Sequence, residues 1–226
     1  MGNRAKIASV YSMIEPMGAL AGTQRIVVRF GGRLPPYYDS QAKADSAPRQ
    51  VAVDEVAQEI ERLTPSGKPP QLTLLGGEPL FYADWITRLV RRVPAADVLL
   101  KTEGTQPKAL AQVLPFVSLI SLQWNLAALE RLAPVQQDVK RSLQLIRLRC
   151  GEVVLQVSAE LLGGDGQLLS DRLATTATLL TSSGGNDLLV WLAVPYEAVK
   201  TAGADSVSLT APFFAAFPQG RVSFYN

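Results

Sequence analysis

Gln71-Leu72-Thr73-Leu74-Leu75-Gly76-Gly77-Glu78-Pro79-Leu80 decides how this chain is read. Five residues rich in leucine form a short apolar run of strand length. Two glycines stop it. A proline then stands where a helix tolerates one, in its first turn. Strand, tight turn and helix follow each other within ten residues. The glycines let the backbone approach a ligand closely, and Glu78 beside them would accept a hydrogen bond from a ligand ammonium. The same turn also serves strand-to-helix geometry alone, so the residues themselves leave both readings open.

Outward from this point the same rhythm recurs. Upstream, Gln24–Phe30 is a β-branched run that predicts a strand, and Val53–Leu63 carries Val56, Ile60 and Leu63 at helical spacing, with Asp54 and Glu55 where the helix dipole favours anions. Downstream, Ala83–Val93 predicts a helix, Asp97–Lys101 a strand, Pro107–Leu114 a helix and Val117–Leu122 a strand. Gln137–Arg149 reads as a helix with Val139, Leu143 and Ile146 on one side. Glu152–Ala159 reads as a strand, Leu168–Thr181 as a helix, Asp187–Val194 as a strand and Arg221–Tyr225 as a short final strand. Pro35–Arg49 reads as a loop, and Pro65–Pro70, Gly163–Gly166 and Ser182–Asn186 as turns. Alternation of this kind implies a parallel α/β sheet with right-handed crossovers. About six units are too few for a closed eight-fold barrel, so an open partial barrel or a doubly wound sheet is expected. Ligands would then sit beyond the carboxyl ends of the strands.

Composition bounds the function. With 226 residues, 47% of them apolar, the chain suits one domain spanning 1–226 with a substantial core. Its net charge of +2 comes from dispersed residues, so no nucleic-acid partner is expected. The nearest basic cluster, Lys140, Arg141, Arg147 and Arg149, flanks the apolar residues of one helix and reads as a solvated face. No apolar run reaches the about 20 residues that span a bilayer. Neither a signal peptide nor a membrane partner is expected, and the setting would be cytoplasmic. The chain has no histidine, which removes Ser-His-Asp and Cys-His catalysis and imidazole-based zinc sites. Its one cysteine, Cys150, permits no internal disulfide and no thiolate cluster.

Four segments, in order, resemble a known family. Gly76-Gly77-Glu78-Pro79 resembles the GGEP motif of radical-SAM enzymes, whose backbone contacts the amino group of S-adenosylmethionine. Tyr11 to Gly18, then Gly22-Thr23, then Arg29-Phe30-Gly31-Gly32, resemble the opening of the 7-carboxy-7-deazaguanine synthases: F-Y-S/T, Q-G-E-G, G-T and R-L-A-G-C. Lys101-Thr102-Glu103-Gly104-Thr105 resembles their E-T-N/S-G-T strand end, and Val117 to Trp124 the strand that ends in S-P-K. The resemblance covers roughly residues 6 to 125. It implies an α/β fold, a partial (β/α)6 radical-SAM-like barrel.

The departures from that pattern carry as much information. The family places C-x-x-x-C-x-x-C directly after the Arg29-like position. Here the loop reads Gly32-Arg33-Leu34-Pro35-Pro36-Tyr37-Tyr38-Asp39, without a cysteine. A [4Fe–4S] cluster needs thiolate ligands. Tyr37 and Tyr38 are expected to fill the space of the lost cluster. Glu15 stands for the glutamine of Q-G-E-G, Pro16 and Met17 for the next two residues, Glu103 for Ser or Asn, and Gln123-Trp124 for the end of S-P-K. Glu15, Arg29, Glu103 and Gln123 are the candidate ligand-binding residues. Gly76, Gly77, Glu78 and Pro79 are a vestigial S-adenosylmethionine motif.

The expected function is therefore a cluster-free pseudoenzyme, a partner or regulatory subunit with no catalytic residue, no metal, no iron–sulfur cluster, and weak or absent S-adenosylmethionine binding. It would form a homodimer or a hetero-complex with a related protein, with Phe213–Phe217 at or near the contact, because three phenylalanines within five residues are costly to leave in water. A plug at the barrel end is the alternative reading of that segment. Two other functions stay open: a ligand-binding module for S-adenosylmethionine or a purine-like molecule, and an enzyme of changed mechanism using Glu15, Glu103 and Arg29.

Overall fold

A computed structural model describes residues 4–16, 18–31, 48–124, 133–149, 152–157, 166–182, 189–195, 210–211, 213–215, 217 and 221–225. Its contacts divide the chain into two compact units. One comprises Met1–Glu15, Gly22–Thr102 and Lys108–Ile120, the other Pro16–Ala21, Glu103–Pro107 and Ser121–Asn226. The expectation of a single domain meets here a chain that passes repeatedly from one unit to the other.

The first unit is built on β1 (Arg4–Ile14), β2 (Gln24–Phe30), β3 (Arg49–Ala52), β4 (Gln71–Leu75) and β5 (Asp97–Thr102), side by side in the order β3-β1-β2-β4-β5. The parallel core is as the rhythm predicts. Ile26 of β2 lies opposite Leu72 of β4, and Leu72 opposite Val98 of β5. Helix α1 (Val53–Leu63) connects β3 to β4 and α2 (Ala83–Arg92) connects β4 to β5, and α3 (Pro107–Val113) follows β5. β2 is buried on both faces over Arg25–Val28, which is why it reads as a continuous apolar run rather than an alternation.

An all-parallel sheet is not what forms. β1 runs antiparallel to both β2 and β3, with Ile14 opposite Gln24 and Arg4 opposite Ala52. The link from β1 to β2 is too short for a parallel crossover, which takes a dozen residues or more. Gly22, at φ 83°, helps turn it. The start of β1 carries the signal of a half-buried strand: Ala5 and Ile7 are buried while Arg4 and Lys6 are exposed. β3 starts at Arg49, the last residue of the segment expected to be loop, and runs beyond it to Ala52.

Amphipathic helices cover the sheet as their spacing demands. α1 buries Val53, Val56, Ala57 and Ile60, and the Glu55 carboxylate accepts a hydrogen bond from the Ala52 amide at its start (3.1 Å). α2 buries Ala83, Trp85, Ile86 and Leu89. Phe30, at the end of β2, stacks on Tyr82 (5.5 Å between centroids) and meets Trp85 edge-on (5.6 Å). Near the opposite end of the strands, Arg25 is buried and all three of its guanidinium nitrogens donate. Nε donates to Thr73 Oγ1 (2.8 Å), Nη2 to the Leu72 carbonyl (2.5 Å), and Nη1 and Nη2 to the two oxygens of Asp97 (2.9 and 2.7 Å).

Strand β6 (Leu119–Trp124) begins in the first unit and ends in the second, where the order continues β6-β7-β8-β9 with β7 (Glu152–Val157), β8 (Leu189–Pro195) and β9 (Arg221–Tyr225). β7, β8 and β9 are parallel. Helix α4 (Ala133–Arg149) buries Val139, Leu143 and Ile146, the three residues picked out by spacing, and α5 (Gly166–Ser182) buries Leu173, Ala177 and Leu180. The strand order begins at β3 and ends at β9.

Phe213 and Phe217 depart from expectation. Both are buried, at 0% and 3% exposure, and their rings stack 5.3 Å apart. The Phe217 amide donates to the Phe213 carbonyl (3.0 Å), so one helical turn brings the rings together. Phe214 is half-buried. The rings of Phe213 and Phe217 are therefore core of this chain and not a free apolar surface. Arg33, Tyr37, Tyr38, Asp39 and Cys150 lie outside the described residues, as do most of the segments 163–166 and 182–186.

Candidate functional site

The glycine turn sits where the sequence places it, at the carboxyl end of β4. Gly76 and Gly77 adopt φ 87° and 46°, the left-handed region that favours glycine. Gly76 also has no room for a side chain. A Cβ there would lie 2.5 Å from the Phe30 carbonyl oxygen and 2.8 Å from Arg29 Cγ. Glu78 is buried. Its Oε1 accepts from the Leu80 amide (3.0 Å) and from the Thr102 hydroxyl (2.7 Å). It therefore caps the 3-10 turn Pro79–Tyr82 that leads into α2, and it ties the end of β4 to the end of β5.

Arg29, half-buried, lies opposite Leu75 at the ends of β2 and β4. Glu15 follows β1 and is buried. Its Oε1 accepts from Lys101 Nζ at 2.7 Å, and Lys101, one residue before the end of β5, is buried as well. Glu15 Oε2 has no hydrogen-bond partner among the described residues. These six candidates, Gly76, Gly77, Glu78, Pro79, Glu15 and Arg29, belong to the first unit.

Glu103 and Gln123 belong to the second unit. Glu103 is buried after β5, and Gln123 is half-buried in β6. Gly104 beside Glu103 has φ 71°, and a Cβ on it would meet Leu122 Cδ2 at 3.0 Å and Ser142 Cβ at 3.6 Å. Like Gly76, it is fixed by packing and backbone geometry.

Lys101 is a site residue that the motifs alone do not select. A signal for it exists: a lysine inside the apolar strand Asp97–Thr102 is buried only with a counter-charge. It stands at the glutamate of the E-T-N/S-G-T pattern, and Glu15 stands at the glutamine of Q-G-E-G. Two departures from the family pattern are thus in direct contact and form one ion pair.

A cavity of about 290 Å³ lies elsewhere, at the amino ends of β2 and β4, lined among others by Ser12, Gln24, Arg25, Lys68 and Gln71. It is remote in the fold from the glycine turn, and the arginine that lines it is committed to Asp97 and β4. No group of three or more His, Cys, Asp or Glu able to hold a metal ion occurs among the described residues, and no helix there is long and apolar enough to cross a membrane. A [4Fe–4S] cluster of the family type does not fit the residues present. The segment from Gly31 to Pro48, joining β2 to β3, contains no cysteine, and the chain has one in all.

A mostly parallel α/β sheet with a Gly-Gly-Glu-Pro turn at the carboxyl end of β4 agrees with the resemblance that the sequence motifs carry. Over 128 residues it is 34% identical to the 7-carboxy-7-deazaguanine synthase of Methanothermobacter thermautotrophicus, a match covering 55% of this chain and 51% of that protein. The chain thus spans about half the length of the curated relative it matches. Its fold is similar to the crystal structure of QueE from Escherichia coli, with a TM-score of 0.58 and 13% identity over 99% of this chain and 94% of that one. No family model matches the chain.

Proposed function

We propose that this chain is a cluster-free relative of the 7-carboxy-7-deazaguanine synthases that acts as a non-catalytic partner or regulatory subunit, in a cytoplasmic setting, paired with itself or with a catalytic protein of related fold. The observation that carries this reading is the loop between β2 and β3. Radical chemistry of the family type starts with an electron from a thiolate-held cluster, and this loop offers no thiolate. The rest of the strand-end region agrees. Glu78 is committed to a cap and to Thr102, and the charges of Glu15 and Lys101 neutralise each other. Histidine, the commonest general acid–base side chain, is absent.

Purification of the tagged protein without oxygen, from cells supplied with iron and sulfide, tests the proposal. The expected result is a colourless chain that brings down a partner protein. Recovery of about four irons per chain, with cleavage of added S-adenosylmethionine, would overturn it.

A further inference from the structure

The pair Glu15–Lys101 is not what a core requires. Bringing a carboxylate and an ammonium together out of water rarely adds stability over apolar residues of the same size. Here the desolvation is incompletely compensated, because Glu15 Oε2 is buried without a hydrogen-bond partner among the described residues. Among those residues Lys101 is the one cation that meets Glu15. Among the described residues, the Glu15 carboxylate therefore accepts one side-chain hydrogen bond, from a lysine that reaches it from β5. Lys101 is also at the carboxyl end of a parallel strand, where open α/β sheets take their small molecules.

We propose that Lys101 is a resident ligand of Glu15, a side chain of this protein that occupies the strand-end site and closes it. The ligand class it stands in for is a primary ammonium on a short apolar stem. The site is blocked by the chain itself rather than merely worn away, and removing the lysine should expose a carboxylate able to take an external alkylammonium ion. This inference rests on the proposal above only in treating the strand end as a site the chain no longer fills with a ligand. Its test needs no partner and no cluster, so its failure leaves the partner reading standing.

The experiment is to make Lys101→Ala and follow thermal unfolding with n-butylammonium chloride, with 1-butanol and with potassium chloride. Breaking a buried pair should lower Tm by roughly 6–20 °C. Butylammonium at about ten times its dissociation constant should restore roughly 3–6 °C. Butanol and potassium chloride should restore less than a third of that. The original protein and the double variant Glu15→Gln/Lys101→Ala should not respond to butylammonium. Equal rescue by butanol, or equal rescue of the double variant, would show a plain apolar void and overturn the proposal. If Lys101→Ala is insoluble alone, it is refolded in each additive. Recovery in butylammonium only supports the proposal, and recovery in neither or in both overturns it.

Discussion

The end of β4 touches the end of β2 so closely that Gly76 and the Phe30 carbonyl leave no space for a methyl group: a Cβ on Gly76 would stand 2.5 Å from that oxygen. The contact joins the glycine turn to the aromatic cluster of Phe30, Tyr82 and Trp85. It also separates two demands that usually coincide, positive φ and close approach. Gly22 has φ 83° but open space, with nothing within 4 Å of the point a Cβ would occupy, whereas Gly76 has both constraints.

Gly76→Ala should therefore cost about 2–5 kcal/mol, the left-handed penalty plus overpacking. Gly22→Ala should cost about 1–2 kcal/mol, the left-handed penalty alone. Urea unfolding of the two variants checks the difference. Equal losses would mean that the approach to Phe30 is not a constraint.

Glu78→Ala should lower stability by about 1–3 kcal/mol through the lost cap and the lost bond from Thr102. Glu78→Gln, which keeps an acceptor oxygen, should lose less than half as much. Calorimetric titration with S-adenosylmethionine should show no binding before or after either change. A micromolar dissociation constant in the original protein would promote the ligand-binding reading instead.

Phe213→Ala should cost about 3–5 kcal/mol, as for a buried aromatic ring. The mass of the protein in solution should not change while the variant stays folded. Dissociation of an oligomer with Tm unchanged would restore the surface role that burial denies to this ring.

Replacing the loop between β2 and β3 by a family-type C-x-x-x-C-x-x-C segment should give iron binding, and the original chain should show none. Iron and sulfide analysis after anaerobic reconstitution measures it. A stoichiometric cluster in the original chain would show that thiolates from this loop are not needed.

The parallel framework is legible because each central strand is a short apolar run and each helix has a clear buried stripe. β4, α1 and β9 fall on their expected residues. β1 is hard to read as a strand because one side is exposed along much of its length, which mixes Ser9, Tyr11 and Ser12 into its apolar pattern, and because the same residues carry a family motif that draws attention from their period. The glycine turn is legible as a turn, but the commitment of its carboxylate is not. Glu78 looks the same in sequence whether it faces a ligand or Thr102. Lys101 and Glu15 are 86 positions apart, and no local pattern links them. Phe213 and Phe217 mislead because aromatic density in a sequence measures the need for burial and does not say which surface supplies it.

Arg25 has a consequence for how the strands find their alignment. β2 is buried on both faces, so sliding it by one residue along β4 would exchange apolar side chains for apolar side chains, and the hydrophobic pattern alone specifies the register weakly. Arg25 removes that ambiguity. Its guanidinium meets a hydroxyl and a carbonyl on β4 and a carboxylate on β5 together. A slip of one residue would turn Thr73 to the other face and strand a buried cation. One polar side chain, placed at the start of an otherwise uniform run, thus selects among pairings that the leucines and valines around it would nearly tolerate.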